Sequence, residues 1–185
     1  MVIRRLFGLC LVALMAAPAL AAAQDTRKVG ITIAYPASIG VLWHASDKIA
    51  IRPDFTISGS SSQTDATNIT LDSDGLGVNF GVSALFYLRT YDRLRTYITP
   101  RFSYGHSSTT ANTSNLINET SSQDTNAVSG SGSFGAQYNL SDRFSLFGEL
   151  GFAYSHATSK NSLSGTKGTS NNWGLRSGVG VVFYP

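Results

Sequence analysis

The sequence predicts an all-β fold, a closed antiparallel up-and-down transmembrane β-barrel of eight strands that follows an N-terminal signal peptide. Six segments alternate apolar with small or polar residues at period two, which is typical of strands with one apolar face. Short polar turns and long hydrophilic stretches alternate between these segments. After residue 23 no apolar run reaches the ~18 residues of a transmembrane helix, so a membrane would be crossed by strands that close into a barrel.

The clearest alternation covers residues 75–88, where every even position is apolar and most odd positions are small or polar. At ~3.3 Å per residue these fourteen residues span roughly 46 Å, far more than a usual strand in a soluble protein. The apolar side is expected to face lipid and the small side a barrel lumen. The apolar positions are Leu76, Val78, Phe80, Val82, Ala84, Phe86 and Leu88.

Residues 1–23 have the layout of a secretory signal peptide, with a basic start, an apolar run from residue 6 to 17 and small residues before Gln24. The predicted mature domain is 24–185. The single cysteine, Cys10, lies in the signal peptide, so the mature chain has no thiol for a disulfide or a metal. Without Arg4 and Arg5 the chain is close to neutral, and nothing in its charge indicates nucleic acid binding.

The first mature segment, residues 29–43, keeps its apolar residues at odd positions through Pro36. As one strand it would give seven strands in total, whereas bacterial single-chain barrels have even numbers. A short hairpin with a loop at residues 36–38 resolves this and is expected to pair Tyr35 with Ile39 and Ile33 with Val41. The one-strand alternative stays open on the sequence alone.

The later strands are predicted at residues 49–59, 75–88, 94–104, 128–140, 144–154 and 173–183. Short turns fall at 45–48, 91–93 and 141–143, and long mobile loops are expected at 60–74, 107–127 and 157–171. Pro53 and Pro100 each lack a backbone donor, so a bulge or weakened pairing is expected at both.

These units resemble the small eight-stranded outer-membrane β-barrels of Gram-negative bacteria, of the outer membrane protein X type and the barrel domain of outer membrane protein A. The resemblance covers residues 29–185 and rests on WHASDKIAIRPD, YNLSDRFSLFGELGFAY and the closing GLRSGVGVVFY. It implies localisation in the bacterial outer membrane after cleavage of the signal peptide, with outer-membrane lipid as a partner. It also implies that the barrel-assembly machinery reads Phe183 and Tyr184 in the last strand, although Pro185 departs from the family pattern.

Charged residues on the polar side of the strands are expected to fill the lumen, because eight strands leave room for little more than side chains. Buried charges need partners, so the two acids should bridge the arginines and plug the barrel. A narrow anion-preferring pore is the alternative. The predicted network contains Arg52, Asp54, Arg95, Arg101, Glu149 and Arg176.

Aromatic residues on the apolar side are expected to form two belts at the membrane interfaces. Near the short turns these are Trp43, Phe86, Tyr138 and Phe144, and near the long loops Phe102, Tyr104, Phe152, Tyr154 and Trp173.

No catalytic, cofactor-binding or metal site is predicted. His106 and His156 each neighbour a serine, but neither has an acid nearby in sequence, and three scattered histidines do not have the spacing of metal ligands. The expected function is that of a monomeric, non-enzymatic outer-membrane barrel with a structural or adhesin-like surface-interaction role through its long loops. The alternatives are a small-solute pore, a lipid A-modifying enzyme and a secreted soluble β-barrel binder.

Overall fold

The computed structural model describes residues 28–66, 69–114 and 119–185, and the predicted signal peptide 1–23 lies outside them. Eight antiparallel strands pair in chain order and close into a barrel, which confirms the predicted fold class. No helix in the described ranges is long and apolar enough to cross a membrane. The strands are β1 (Val29–Tyr35), β2 (Ser38–His44), β3 (Ile49–Ala66), β4 (Ile69–Tyr91), β5 (Leu94–Ser114), β6 (Glu119–Asn139), β7 (Phe144–Asn161) and β8 (Lys167–Phe183).

Strand tilt follows from the register around the ring. A path of paired residues that starts at Ile33 and steps through β2 to β7 reaches Asn171 on β8. Ile33 itself pairs with Val181, so the ring closes with a stagger of ten residues between positions 171 and 181. For eight strands this stagger corresponds to a tilt of roughly 40° from the barrel axis.

The first two strands form a hairpin, as predicted, but their register differs from the prediction by two residues. Ile33 pairs with Ile39 and Ile31 with Val41, around a two-residue turn at Pro36 and Ala37. A shift of two keeps every side chain on its predicted face, so alternation could not detect it; only the loop length distinguishes the two registers.

The three predicted long loops are wrong, because most of their residues continue the strands. β3 pairs with β4 without interruption as far as Ala66 and Ile69, and β5 pairs with β6 as far as Thr113 and Glu119. β7 and β8 pair as far as Lys160 and Lys167, which leaves a short connection at 162–166. The backbone N–H groups of serine and threonine donate to a ladder as well as those of apolar residues do. The hydrophilic composition of these stretches therefore hides the apolar alternation in the sequence, although the strands continue.

Prolines interrupt ladders without shifting them. Opposite Pro53, the β2–β3 ladder has no paired residues between Gly40 and Trp43. Near Pro100, the β4–β5 ladder has none between Ser83 and Phe86. In each ladder the register is the same before and after the interruption. This confirms the weakened pairing. The register shift in β4–β5 lies instead between Tyr87 and Arg89.

The barrel wall has unequal height, because β1 and β2 are seven residues long and the other strands have 17 to 23. β8 pairs with β1 only over residues 179–183, and β3 pairs with β2 no further than Phe55. Above the Pro36 turn, β8 and β3 therefore face each other across a gap, along which no described strand forms a ladder with either of them on that side. We call this gap the notch. The end of the barrel with the short turns is called the turn end, and the opposite end the hairpin end.

Candidate functional site

The lumen holds a group of buried charges at mid-height. Arg52 donates from Nη2 to Oε1 of Glu149 at 2.6 Å, and the hydroxyl of Tyr97 donates to the same oxygen at 3.0 Å. Nη1 of Arg176 lies 3.7 Å from Oε2 of Glu149. Since Arg52 and Glu149 are each 6% exposed, Glu149 holds two guanidinium groups and one phenol in the centre of the barrel.

A second ion pair lies beside the first. Arg101 contacts both carboxylate oxygens of Asp54, with Nε 3.2 Å from Oδ2. Five of the six residues predicted for the lumen network thus come together in two acid-centred groups. Among these five, three cations face two anions, so the group has one surplus positive charge.

Arg95, the sixth residue, lies apart at the turn end. Its guanidinium carbon is 3.7 Å from the centre of the Tyr87 ring, and Nη2 donates to the carbonyl oxygen of Asp47 at 2.6 Å. No acid bridges it in the described residues, in contrast to the expectation that Asp54 and Glu149 pair with all the arginines. A cation over an aromatic face is stabilised by the ring quadrupole.

The turn end is closed by a hydrogen-bonded chain that the sequence analysis missed. Tyr87 donates to Oε1 of Gln137 at 2.9 Å, and Nε2 of Gln137 donates to the hydroxyl of Tyr184 at 3.1 Å. Nε2 of His44 lies 3.2 Å from the same hydroxyl, and the His44 ring stacks on Tyr87 with 5.6 Å between centroids. His44, one of the three histidines that are scattered in the sequence, is therefore part of a lid across this end.

Tyr97 depends on a glycine directly opposite. Gly135 pairs with Tyr97 across β5–β6, and a Cβ there would overlap the tyrosine ring. We expect Gly135→Val to displace the ring from Glu149 and to lower the free energy of unfolding by about 1–3 kcal/mol. The check is the midpoint of urea unfolding in lipid vesicles, followed by tryptophan fluorescence.

Gly132→Val is the matched control for this prediction. A Cβ at Gly132, on the same strand, has no neighbour within 4 Å, and valine favours strands. Its midpoint should equal or exceed that of the parent protein. Equal midpoints for both variants would show that the ring does not need the space at Gly135.

The outer surface of the barrel is apolar between two rings of aromatic residues. All nine predicted interface aromatics project outward with at least 38% exposure, while Ser83, Thr99 and Ser145 face inward and are buried. The surface between the rings carries Ile33, Ile51, Val82, Ile98, Phe134, Leu146, Leu150 and Val179. A polar interior inside an apolar wall reverses the arrangement of a soluble protein and is the one that lipid requires.

The two histidines near the hairpin end make a repeated surface contact. Nδ1 of His106 lies 2.9 Å from Oδ1 of Asn126, which also accepts from Tyr104 at 2.8 Å. His156 lies 2.7 Å from Asn171, which accepts from Tyr154 at 3.0 Å. Each histidine projects outward and its neighbouring serine inward, since adjacent residues of a strand point to opposite faces. Neither pair is arranged as a base and a nucleophile.

The two residues of the predicted assembly signal point in opposite directions. Phe183 lies outside, with its ring centroid 5.0 Å from that of Phe144. Tyr184 is 5% exposed and belongs to the lid at the turn end, where its backbone N–H donates to the carbonyl of Arg143 at 2.8 Å. Tyr184 therefore has a structural contact of its own in the folded barrel.

Comparison with solved structures identifies the fold. The chain is similar to a major outer membrane protein of Thermus thermophilus, with 14% identity, a TM-score of 0.59 and coverage of 84% of this chain and 97% of that one. CarO of Acinetobacter baumannii matches at 14% identity and a TM-score of 0.46, covering 85% and 96%. Neisserial surface protein A matches at 15% identity and a TM-score of 0.45, covering 85% and 93%.

No protein-family model matches the sequence, and none of the curated proteins matches it either. The fold therefore rests on the structural similarity and on the molecule's own geometry. Eight strands in a closed ring, an apolar outer surface with aromatic borders and a charged, filled lumen all agree. The chain has the fold of the small eight-stranded outer-membrane β-barrels.

Proposed function

We propose that this barrel is a non-enzymatic surface-interaction protein and that its contact surface is the sheet that β3 to β8 extend outside the membrane. The observation that carries the proposal is the length of these strands. β5 continues ten residues beyond the interface residue Tyr104 to Ser114, paired with β6 nearly throughout. At roughly 2.5 Å of height per tilted residue, this hairpin projects about 25 Å beyond the membrane interface.

The projecting sheet is suited to contact with a protein partner. Its strands are rich in serine, threonine and asparagine, and the inward side chains of Ser58, Ser60 and Ser62 are exposed. Its two edges, on β3 and β8, form no ladder with a described strand along the notch. Such edges accept an added strand from another chain, and natural proteins usually cover edges that have no partner.

The alternative function of a small-solute pore has less support. Two ion-paired groups occupy the lumen at mid-height, and the lid of Tyr87, Gln137 and Tyr184 lies across the turn end. A conducting path would have to separate buried charges that are each other's partners, which is costly. A lipid-modifying activity has less support still, because the partner of each outward histidine is an asparagine rather than an acid.

The test is removal of the tallest hairpin. Thr109 and Gln123 are paired, so deleting residues 110–122 and joining the ends through Asn-Gly keeps the register of β5 and β6. Bacteria that display the wild-type protein should adhere to a panel of immobilised extracellular-matrix and serum proteins several-fold better than bacteria without it. The shortened protein should lose this gain.

A control variant replaces Pro36-Ala37 with Asn-Gly, which changes a turn but leaves the projecting sheet intact. Surface display of all variants is measured with an antibody to the shared barrel, so that adherence is compared at equal amounts. Equal adherence with and without the hairpin, or no gain from the wild-type protein, would contradict the proposal.

A further inference from the structure

We infer that the notch is a side entrance through which the carboxylate of a single-chain fatty acid, lying in the outer leaflet, reaches Arg176 in the lumen. The inference does not depend on the proposed surface role. It combines the gap in the wall, its depth in the membrane, the cavity behind it and the charge in that cavity.

The gap is wide enough for an acyl chain. Below the notch, both strands of the first hairpin lie between β8 and β3. Three inter-strand distances therefore separate β8 from β3 there, roughly 14 Å in total. Above Pro36 nothing in the described residues fills this interval.

The gap begins inside the membrane. Tyr35, at the tip of the hairpin, pairs with Val179, and Trp173 of the outer aromatic belt lies six residues further along β8. Allowing for the tilt, the base of the notch is on the order of 10 Å below Trp173, within the outer leaflet. Its sides are apolar: Trp173, Tyr35 and Leu175, at 80%, 75% and 74%, are the most exposed large apolar residues described.

A cavity of about 300 Å³, with charged side chains in its wall, borders the notch. Tyr35, Pro36 and Gly178, at the base of the notch, are among its lining residues together with Arg176, and we refer to this side of the cavity as its mouth. The mouth of the cavity and the base of the notch therefore share residues. This volume accommodates a head group with a few atoms of chain but not a glycolipid with several acyl chains, which favours a single-chain ligand.

Arg176 is the cation with capacity for a ligand. Glu149 lies 2.6 Å from Arg52 but 3.7 Å from Arg176, so the buried Nη1 of Arg176 makes an ion pair without a hydrogen bond in the described part of the chain. Its side chain is 26% exposed, compared with 7% for Arg52 and 14% for Arg101. The two oxygens of a carboxylate match the fork of a guanidinium, and the acyl chain attached to the carboxylate would leave through the apolar notch.

The test uses a stearate with a nitroxide at carbon 5, which quenches tryptophan at short range. The chain has two tryptophans, so Trp43→Phe leaves Trp173, at the side of the notch, as the only reporter. In phosphatidylcholine vesicles, quenching by the labelled stearate should saturate and be reversed by palmitate. Arg176→Gln should weaken apparent binding by about tenfold or more, because a charge-assisted pair is lost.

Three controls separate the sources of a signal. Lys167→Gln removes an exposed cation from the same strand and should leave binding unchanged. The methyl ester of the probe, which has no charge, should quench only in proportion to its concentration in the membrane. Acetate, a soluble carboxylate without a chain, should fail to displace the probe at concentrations where palmitate succeeds.

Gly178→Leu gives a second, independent variant, since it fills the mouth of the cavity and leaves Arg176 in place. Gly132→Leu, on the outer face of β6 and away from the notch, is its matched control. Folding of each variant is checked by its migration on unheated denaturing gels. Saturable quenching that is lost in Arg176→Gln or Gly178→Leu, but not in the controls, supports the inference. Equal quenching by the ester, unchanged binding in both cavity variants, or displacement by acetate would overturn it.

Discussion

Glu149→Gln is expected to lower the free energy of unfolding by about 3–5 kcal/mol, the range found when one partner of a buried ion pair is removed. Glu149 is the acid that pairs with both Arg52 and Arg176, and it also accepts from Tyr97. Glutamine keeps the shape but not the charge, so two guanidinium groups would stay in the lumen without this counter-charge. Urea unfolding in lipid vesicles measures the change.

Two variants make this prediction specific. Asp74→Asn removes an acid from the exposed part of β4 and should change stability by less than about 0.5 kcal/mol. Arg52→Met combined with Glu149→Met replaces the closest pair by apolar groups and should be less damaging than Glu149→Gln alone. If the Glu149→Gln protein is as stable as the wild type, water rather than the carboxylate stabilises the positive charges of Arg52 and Arg176.

Leu150→Arg is expected to have the second largest effect, a loss of about 2–4 kcal/mol, as for an arginine that faces lipid near the middle of the membrane. Leu150 projects from β7 between the two aromatic belts and is 61% exposed. In water such a residue could be exchanged for arginine at almost no cost. The size of the loss thus measures whether this surface faces lipid.

Leu163→Arg is the matched control, because Leu163 is 58% exposed but lies in the connection between β7 and β8, outside the membrane. Both variants are refolded into vesicles and unfolded in urea. If Leu150→Arg is no more damaging than Leu163→Arg, the apolar outer surface is not in contact with acyl chains.

Much of the fold could be predicted because one physical rule governs every strand. Residues alternate between lipid and lumen, so period two alone assigned Arg52, Arg101 and Glu149 to the polar side and Phe80 and Leu150 to the apolar side. The paired charges needed only the further rule that buried charges have partners. That rule could not say which partner each arginine has, and Arg95 proved to lie over Tyr87 instead.

The projecting sheet could not be predicted from alternation, because both of its faces are in water. Residues such as Ser108, Thr110 and Asn112 alternate among hydrophilic types, so they show no period even though they are paired with β6. Their threonine content is a weak strand signal that was available. A stronger indication of paired strands was that two hydrophilic stretches of similar length flank the tip of each long hairpin.

The lid at the turn end could not be predicted because its members are far apart in the chain. Residue 44 and residue 184 are brought together only when β1 closes on β8 and the two barrel ends are defined. One signal was present: Tyr87 and Tyr97 lie on the small, polar side of their strands, where large residues need a partner.

The short first hairpin has a mechanical consequence. It pairs with β8 over residues 31–35 and with β3 only at Ile39, Gly40, Trp43 and His44. The other strands pair with their neighbours along most of their length. The free energy of local opening rises with the number of ladder hydrogen bonds that are broken. We therefore expect the first hairpin to separate from its neighbours more readily than any other strand of the ring. Thermal fluctuations should therefore separate the first hairpin from its neighbours before any other strands separate. The notch above the hairpin would then widen while β3 to β8 stay paired.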